Sequence, residues 1–151
     1  MTMTIDGVGA LNQHVGEHLG YSQWHEVTQE QVNLFADATG DHQWIHVNVE
    51  RAKAGPFGAP IAHGYLTLSL VPVLLPEIVN VTGTSLTINY GLNKLRFPAP
   101  VPVGSKLRAG ATLTQLDEVP GGVQVTLTVT FEVEGGSKPV CVAEVVFRYL
   151  A

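Results

Sequence analysis

The spacing of apolar positions changes period near the middle of the chain, from helical in the first half to alternating in the second. Val8, Leu11, Val15 and Leu19 lie three or four apart and Gly20 follows, which predicts an N-terminal helical extension over residues 1–20. Tyr21 to Val27 reads as a short strand. Thr28 opens Thr-Gln-Glu-Gln, a helix-starting pattern. Val32, Phe35 and Ala36 follow at helical spacing, and Gly40 ends that helix. Between Val47 and Pro60 the residues Gly55, Pro56, Gly58 and Pro60 predict an irregular excursion, with one helical turn from Asn48 to Ala54. From His63 to about Leu75 nearly every side chain is apolar. That pattern predicts a helix buried on every side, kinked or ended at Pro72, which cannot donate an internal hydrogen bond.

In the second half Thr84 to Phe97 predicts a strand, bulged or bent at Gly91 and Asn93. Leu107, Ala109, Ala111 and Leu113 alternate with polar residues. Val123, Val125, Leu127, Val129, Phe131 and Val133 do the same, which predicts a half-buried strand. Gly121-Gly122 and Gly135-Gly136 are turn signals, and Cys141 to Tyr149 predicts a last strand. One long apolar helix followed by four strands predicts an α+β domain over residues 1–151, an antiparallel meander wrapped around the helix. The early strand is expected to join the same sheet. Such a sheet leaves an edge strand and an apolar rim to cover, which predicts a homodimer.

Composition narrows the function. A formal net charge of -5 argues against a nucleic-acid partner. The single cysteine, Cys141, alternates with Ala143 and Val145 as a buried strand residue, and no intrachain disulfide is possible. The N-terminus lacks a basic region followed by an apolar run. The most apolar stretch, Leu66 to Ile78, is too short to span a bilayer and is interrupted by Pro72 and Pro76. The expectation is a cytoplasmic protein with no membrane partner.

The candidate chemistry lies in Gly40-Asp41-His42-Gln43-Trp44-Ile45-His46 and in Ala62-His63-Gly64-Tyr65, which opens the apolar helix. A carboxylate and an imidazole held together can activate a water, and a glycine at a helix start can offer its backbone N–H to a carbonyl oxygen. Each residue also has a plain structural reading. Asp41 after a helix-ending glycine is equally a turn residue, and His63 either caps the helix or shapes a pocket. His42 and His46, like His14 and His18, are four apart, as metal ligands can be. Gly40 is expected to end the helix before His42, and no cysteine ligand cluster exists, so no metal site is expected. Trp24 and Trp44 read as packing residues.

These residues resemble the MaoC-like dehydratase family, whose members include (R)-specific enoyl-CoA hydratases with a hot-dog fold. The resemblance is carried by Thr39-Gly40-Asp41, Ile45-His46 and Ala52, then by Pro60-Ile61-Ala62-His63-Gly64, then by Leu95-Arg96-Phe97, Pro100-Val101 and Val103-Gly104. The chain departs from the family in having Gln43-Trp44 where Asn-Pro is common, and Pro72 where some members have serine. The resemblance implies that Asp41 and His46 act as an acid–base pair sharing one water, in reversible hydration of trans-2-enoyl-CoA to (R)-3-hydroxyacyl-CoA. In that reaction Gly64 offers its N–H to the thioester oxygen, beside His63, Ala62 and Ile61. Asn89 and Tyr90 are candidates for the pantetheine arm, or ordinary strand residues. Lys94, Arg96, Lys106 and Arg108 are candidates for the CoA phosphates, or solvated strand-face charges. Phe57, in the excursion before Gly64, is expected to shape the acyl pocket. The substrate partner is an acyl-CoA, and the chemistry requires no cofactor because the thioester itself acidifies C2. Two alternatives stay open: a hot-dog acyl-CoA thioesterase, and a non-catalytic thioester-binding protein of the nodulation-protein-N branch.

Overall fold

Alternation in Gly122–Val133 makes this segment β7, the middle of a six-stranded antiparallel sheet in the computed structural model, which describes residues 1–151. β7 lies between β6 (Lys106–Val119) and β8 (Cys141–Leu150), with Val129 opposite Ala111 on one side and Ala143 on the other. The side chains of Val123, Val125, Leu127, Val129 and Phe131 are buried on one face, as the period of two requires. β5 (Leu86–Arg96) pairs with β8 and forms one edge. Its register slips between Asn89 and Gly91 and again between Leu92 and Lys94, where the sequence predicted a bulge. On the other side β2 (His18–Tyr21) and β3 (His25–Glu26) both pair with β6, so the early strand does join the sheet, in two pieces.

The first twenty residues require a correction. The expected helical extension is instead a strand, β1 (Met3–Asp6), a 3-10 helix (Val8–His14) and β2. β1 runs parallel to β4 (Val79–Thr82), Ile5 opposite Val81. Val8 and Leu11 are buried, but a separation of three fits the 3-10 repeat as well as the α repeat. Val15 already has extended backbone, and Leu19 is buried from a strand. The pairing of β1 with β4 is long-range, so no local pattern announces it.

The helices form where the caps place them. Thr28 accepts a hydrogen bond from the Gln31 N–H and starts α1 (Gln29–Thr39). Gly40 ends it at φ 84°, a left-handed turn that glycine adopts without strain, and donates its N–H to Ala36. Then come α2 (Trp44–Val47) and α3 (Val49–Lys53), the latter capped by the Asn48 side chain. The apolar helix is two pieces, α4 (Gly64–Ser69) and α5 (Val71–Ile78), broken at Leu70. The break falls two residues before Pro72, which then sits in the first turn of α5, where its missing N–H costs little. No helix is long and apolar enough to cross a membrane.

The helix is not buried on every side, as its composition predicted. Leu66, Thr67, Val71, Leu74, Leu75 and Ile78 face the core, whereas Tyr65 and Val73 are 66% and 56% exposed, and Pro72 and Pro76 are also exposed. One sheet covers one face. At the far end, the Glu77 carboxylate accepts from the His25 ring at 2.8 Å and from the Gln23 N–H at 3.0 Å, tying α5 to the approach to β3.

This asymmetry predicts that Leu74→Ala destabilises the fold by about 2–5 kcal/mol, the usual cost of truncating a fully buried leucine. Val73→Ala, one residue earlier, should stay within about 0.5 kcal/mol of the parent. Urea melts of both variants check the orientation of the helix.

Candidate active site

Two helix ends and one strap of backbone assemble the site. The left-handed turn at Gly40 reverses the chain, so that Asp41 follows α1 directly and α2 begins three residues later. The Asp41 carboxylate stays exposed, with Oδ1 accepting the Gln43 N–H at 3.4 Å. His42 turns outward to the Asp37 carboxylate at 3.0 Å, and that hydrogen bond raises its pKa. Its ring therefore does not converge with His46.

His46 is carried inward on α2 and buried. Its Nδ1–H donates to the Ile61 carbonyl at 2.7 Å, and the Ile61 N–H donates back to Ile45 at 3.0 Å. The Ala62 N–H donates to Val101 and the Val103 N–H to Pro60, so residues 60–62 form a strap fastened on both sides. With Nδ1 committed as donor, Nε2 is the nitrogen with a free lone pair. The Gln29 side chain holds the His46 backbone carbonyl at 2.8 Å.

His63 follows the strap. Its ring stacks on that of His46 at 3.9 Å between centroids, and its Nε2–H donates to the Asp41 carbonyl at 2.9 Å. Its Nδ1 is buried without a partner. One histidine thus touches both members of the expected pair. The ligating atoms of Asp41, His46 and His63 lie within 4.8 Å of one another. Nδ1 of His46 and Nε2 of His63 are already spent on carbonyls, so a cation there would have only the opposite nitrogens and the carboxylate.

Burial lowers the pKa of His46, and the neighbouring His63 adds to this; the Ile61 carbonyl and Asp41 pull the other way without overcoming it. At neutral pH the ring is therefore uncharged, with Nε2 able to accept a proton.

His46 lines two cavities. One, of about 500 Å³, contains Asp41, Thr39, His63 and Tyr65; the other, of about 310 Å³, is walled by Phe57, Ile61, Ala62, Thr67, Val101 and Val140 among others. Both volumes fit small-molecule sites. Gly64 and Phe97 also border both. Gly64 is the first residue of α4, and no side chain caps that helix start. A side chain at Gly64 would not enter open space: its Cβ would lie 2.9 Å from the Phe97 ring.

Ile61, Ala62, His63 and Gly64 thus gather at His46 as the sequence suggested. Asn89 and Tyr90 do not. Asn89 lines cavities with Pro72 and Phe147 on the far side of α5, and Tyr90 lies under the Arg148 guanidinium at 3.9 Å. They sit on the edge strand β5. The Arg108 guanidinium stacks between Tyr21 and Trp24, at 4.2 and 4.5 Å, and pairs with Glu132. Lys94 lies 4.0 Å from Glu144, and Arg96 turns back to the Leu95 carbonyl. Trp44 packs under Arg51 and against Gly55, as a packing residue should. Sequence reasoning missed Gln29 and Thr67, and named Phe97 only among the residues that carry the resemblance. Thr67 had a signal, a polar side chain inside an apolar helix; Gln29 had none.

Residues 11–134 match the MaoC like domain. The chain is 57% identical over 149 residues to the 3-hydroxyacyl-thioester dehydratase Z of Mycobacterium tuberculosis, covering 98% of this chain and 99% of that protein. It is 42% identical over 135 residues to nodulation protein N of Rhizobium leguminosarum bv. viciae, covering 85% and 82%. Among solved structures, the (R)-hydratase from A. caviae involved in PHA biosynthesis superposes with a TM-score of 0.72 at 28% identity, covering 88% of this chain and 94% of that one. The chain belongs to the MaoC-like dehydratase family, with the hot-dog fold. As an enzyme it is a hydro-lyase.

A lowered folded-state pKa has a definite sign. The unfolded chain binds a proton at His46 more readily, so the stabilisation is present above the ordinary value of 6.5 and lost as pH falls from there through the lower folded-state value. His46 should titrate below 6.5 in an NMR titration. Urea melts at about pH 7.5 and about pH 5.5 should differ more for the parent than for His46→Gln.

Proposed function

We propose that this protein is an (R)-specific hydratase that adds water reversibly to trans-2-enoyl-CoA, giving (R)-3-hydroxyacyl-CoA, in the cytoplasm. One observation carries the reading: Nδ1 of His46 is committed to Ile61, which leaves Nε2 as the proton acceptor beside Asp41, on a side chain that lines both cavities. A water held between the carboxylate and Nε2 loses a proton to the pair as its oxygen attacks C3. The pair returns a proton to C2, so that H and OH are added across one double bond. Charge grows meanwhile on the thioester oxygen, and we assign the Gly64 N–H, at the start of α4, as its donor. The acyl chain lies in the smaller cavity, against Phe57 and Val140. The (R) outcome follows the likeness to the (R)-hydratase from A. caviae. A thioesterase would direct the same water at C1 and release a free thiol.

The test is loss of enoyl absorbance from crotonyl-CoA without thiol release, followed by chiral analysis of the product. Asp41→Asn and His46→Gln should each lower turnover by about a hundredfold or more. The double variant should cost much less than the product of the two, because both groups act on one water. Near-parental turnover in either folded single variant would sink the mechanism.

We also propose that the protein is a homodimer joined along β5. That strand presents an unpaired edge and exposes Leu86, Ile88, Tyr90 and Leu92. Asn89 and Tyr90 then lie at the seam, not at their own chain's His46. Sedimentation equilibrium at micromolar concentration should give a mass twice that of the chain, and a monomer alone would count against the seam.

A further inference from the structure

We infer that the Phe97 ring is a gate between the two cavities and sets which acyl chain lengths the enzyme accepts; this rests on the hydratase reading above. Only His46, Gly64 and Phe97 border both cavities. The reacting carbons must lie beside Asp41, which lines only the larger cavity, while Phe57, Val101 and Val140 line only the smaller. A long acyl chain must therefore cross at these three residues. His46 cannot yield, because it is buried and bonded to Ile61. Gly64 has no side chain to move. Phe97 can move: it is 41% exposed, and its one aromatic neighbour, Tyr65, is itself 66% exposed and 6.2 Å away edge-on.

In this structure the ring is shut against Gly64, 2.9 Å from where a Cβ would stand. Pro98 follows immediately and holds the Phe97 backbone extended, so the opening motion is rotation of the side chain, not flexing of the loop. A short enoyl group needs only the larger cavity and a small displacement of the ring. A long one must hold the ring aside through the reaction, so the work of opening falls selectively on long chains.

Substitutions that shrink and enlarge the ring test this with opposite signs. Kinetics on crotonyl-CoA and trans-2-octenoyl-CoA, with calorimetric binding of butyryl-CoA and octanoyl-CoA, give two independent chain-length ratios. Phe97→Ala should raise the octenoyl-to-crotonyl ratio of kcat/KM about tenfold, and Phe97→Trp should lower it by about as much, within the range that one badly fitted apolar group commands. The binding ratios should move in the same directions. Ratios unchanged in both variants, or shifted the same way by both, overturn the gate while leaving the hydratase reading intact. A parent enzyme that hydrates neither thioester and binds neither saturated analogue overturns the reading and the gate together.

Discussion

The hydrogen bond from His46 to the Ile61 carbonyl is the constraint on which the site depends. A buried imidazole must place its one N–H on a partner or lose the equivalent of a hydrogen bond. Ile61 supplies that partner only because the strap from Pro60 to Ala62 is fastened to Ile45 on one side and to Val101 and Val103 on the other. The same strap delivers His63 and then Gly64 to their positions. One carbonyl thus decides the tautomer of His46, the depth of its ring and the start of α4.

The two stacked histidines bear on charge as well as on shape. Burial and the His63 ring, stacked 3.9 Å away between centroids, both disfavour a positive charge on His46. The His46 ring is therefore best accommodated neutral. Asp41, by contrast, keeps its carboxylate in solvent and is held through its backbone. The difference is useful: the buried member accepts a proton readily only when uncharged, and the exposed member carries the negative charge that steadies it once protonated.

The sequence disclosed this unevenly, for physical reasons. The turn at Gly40, the position of Asp41, the inward His46 and the glycine opening α4 all follow from short-range patterns, so they were legible. The strands from β5 to β8 were legible from period two and paired glycines. The N-terminus was not, because Val8 and Leu11 fit two kinds of helix and β1 is held by a partner more than seventy residues away. The burial of the apolar helix was over-read, because composition reports what a surface must eventually meet, not what one chain supplies. Val73 and Tyr65 are apolar and uncovered. Asn89 and Tyr90, open between the pantetheine arm and ordinary strand positions, lie on the sheet edge away from His46.

Reaction type and chain-length choice come from different parts of the chain. In the proposed hydratase the acid–base pair is Asp41, just after α1, and His46, on α2, the latter fixed by its hydrogen bond to Ile61. The wall of the smaller cavity comes from Phe57, the segment after β5 and Val140 just before β8, held mainly by apolar packing. Apolar walls can be resized one methylene at a time at a cost of about 1–3 kcal/mol, whereas displacing the imidazole would forfeit the chemistry outright. This fold can therefore vary its acyl group without disturbing its acid and base. In the proposed reaction the two functions meet where His46, Gly64 and Phe97 border both cavities.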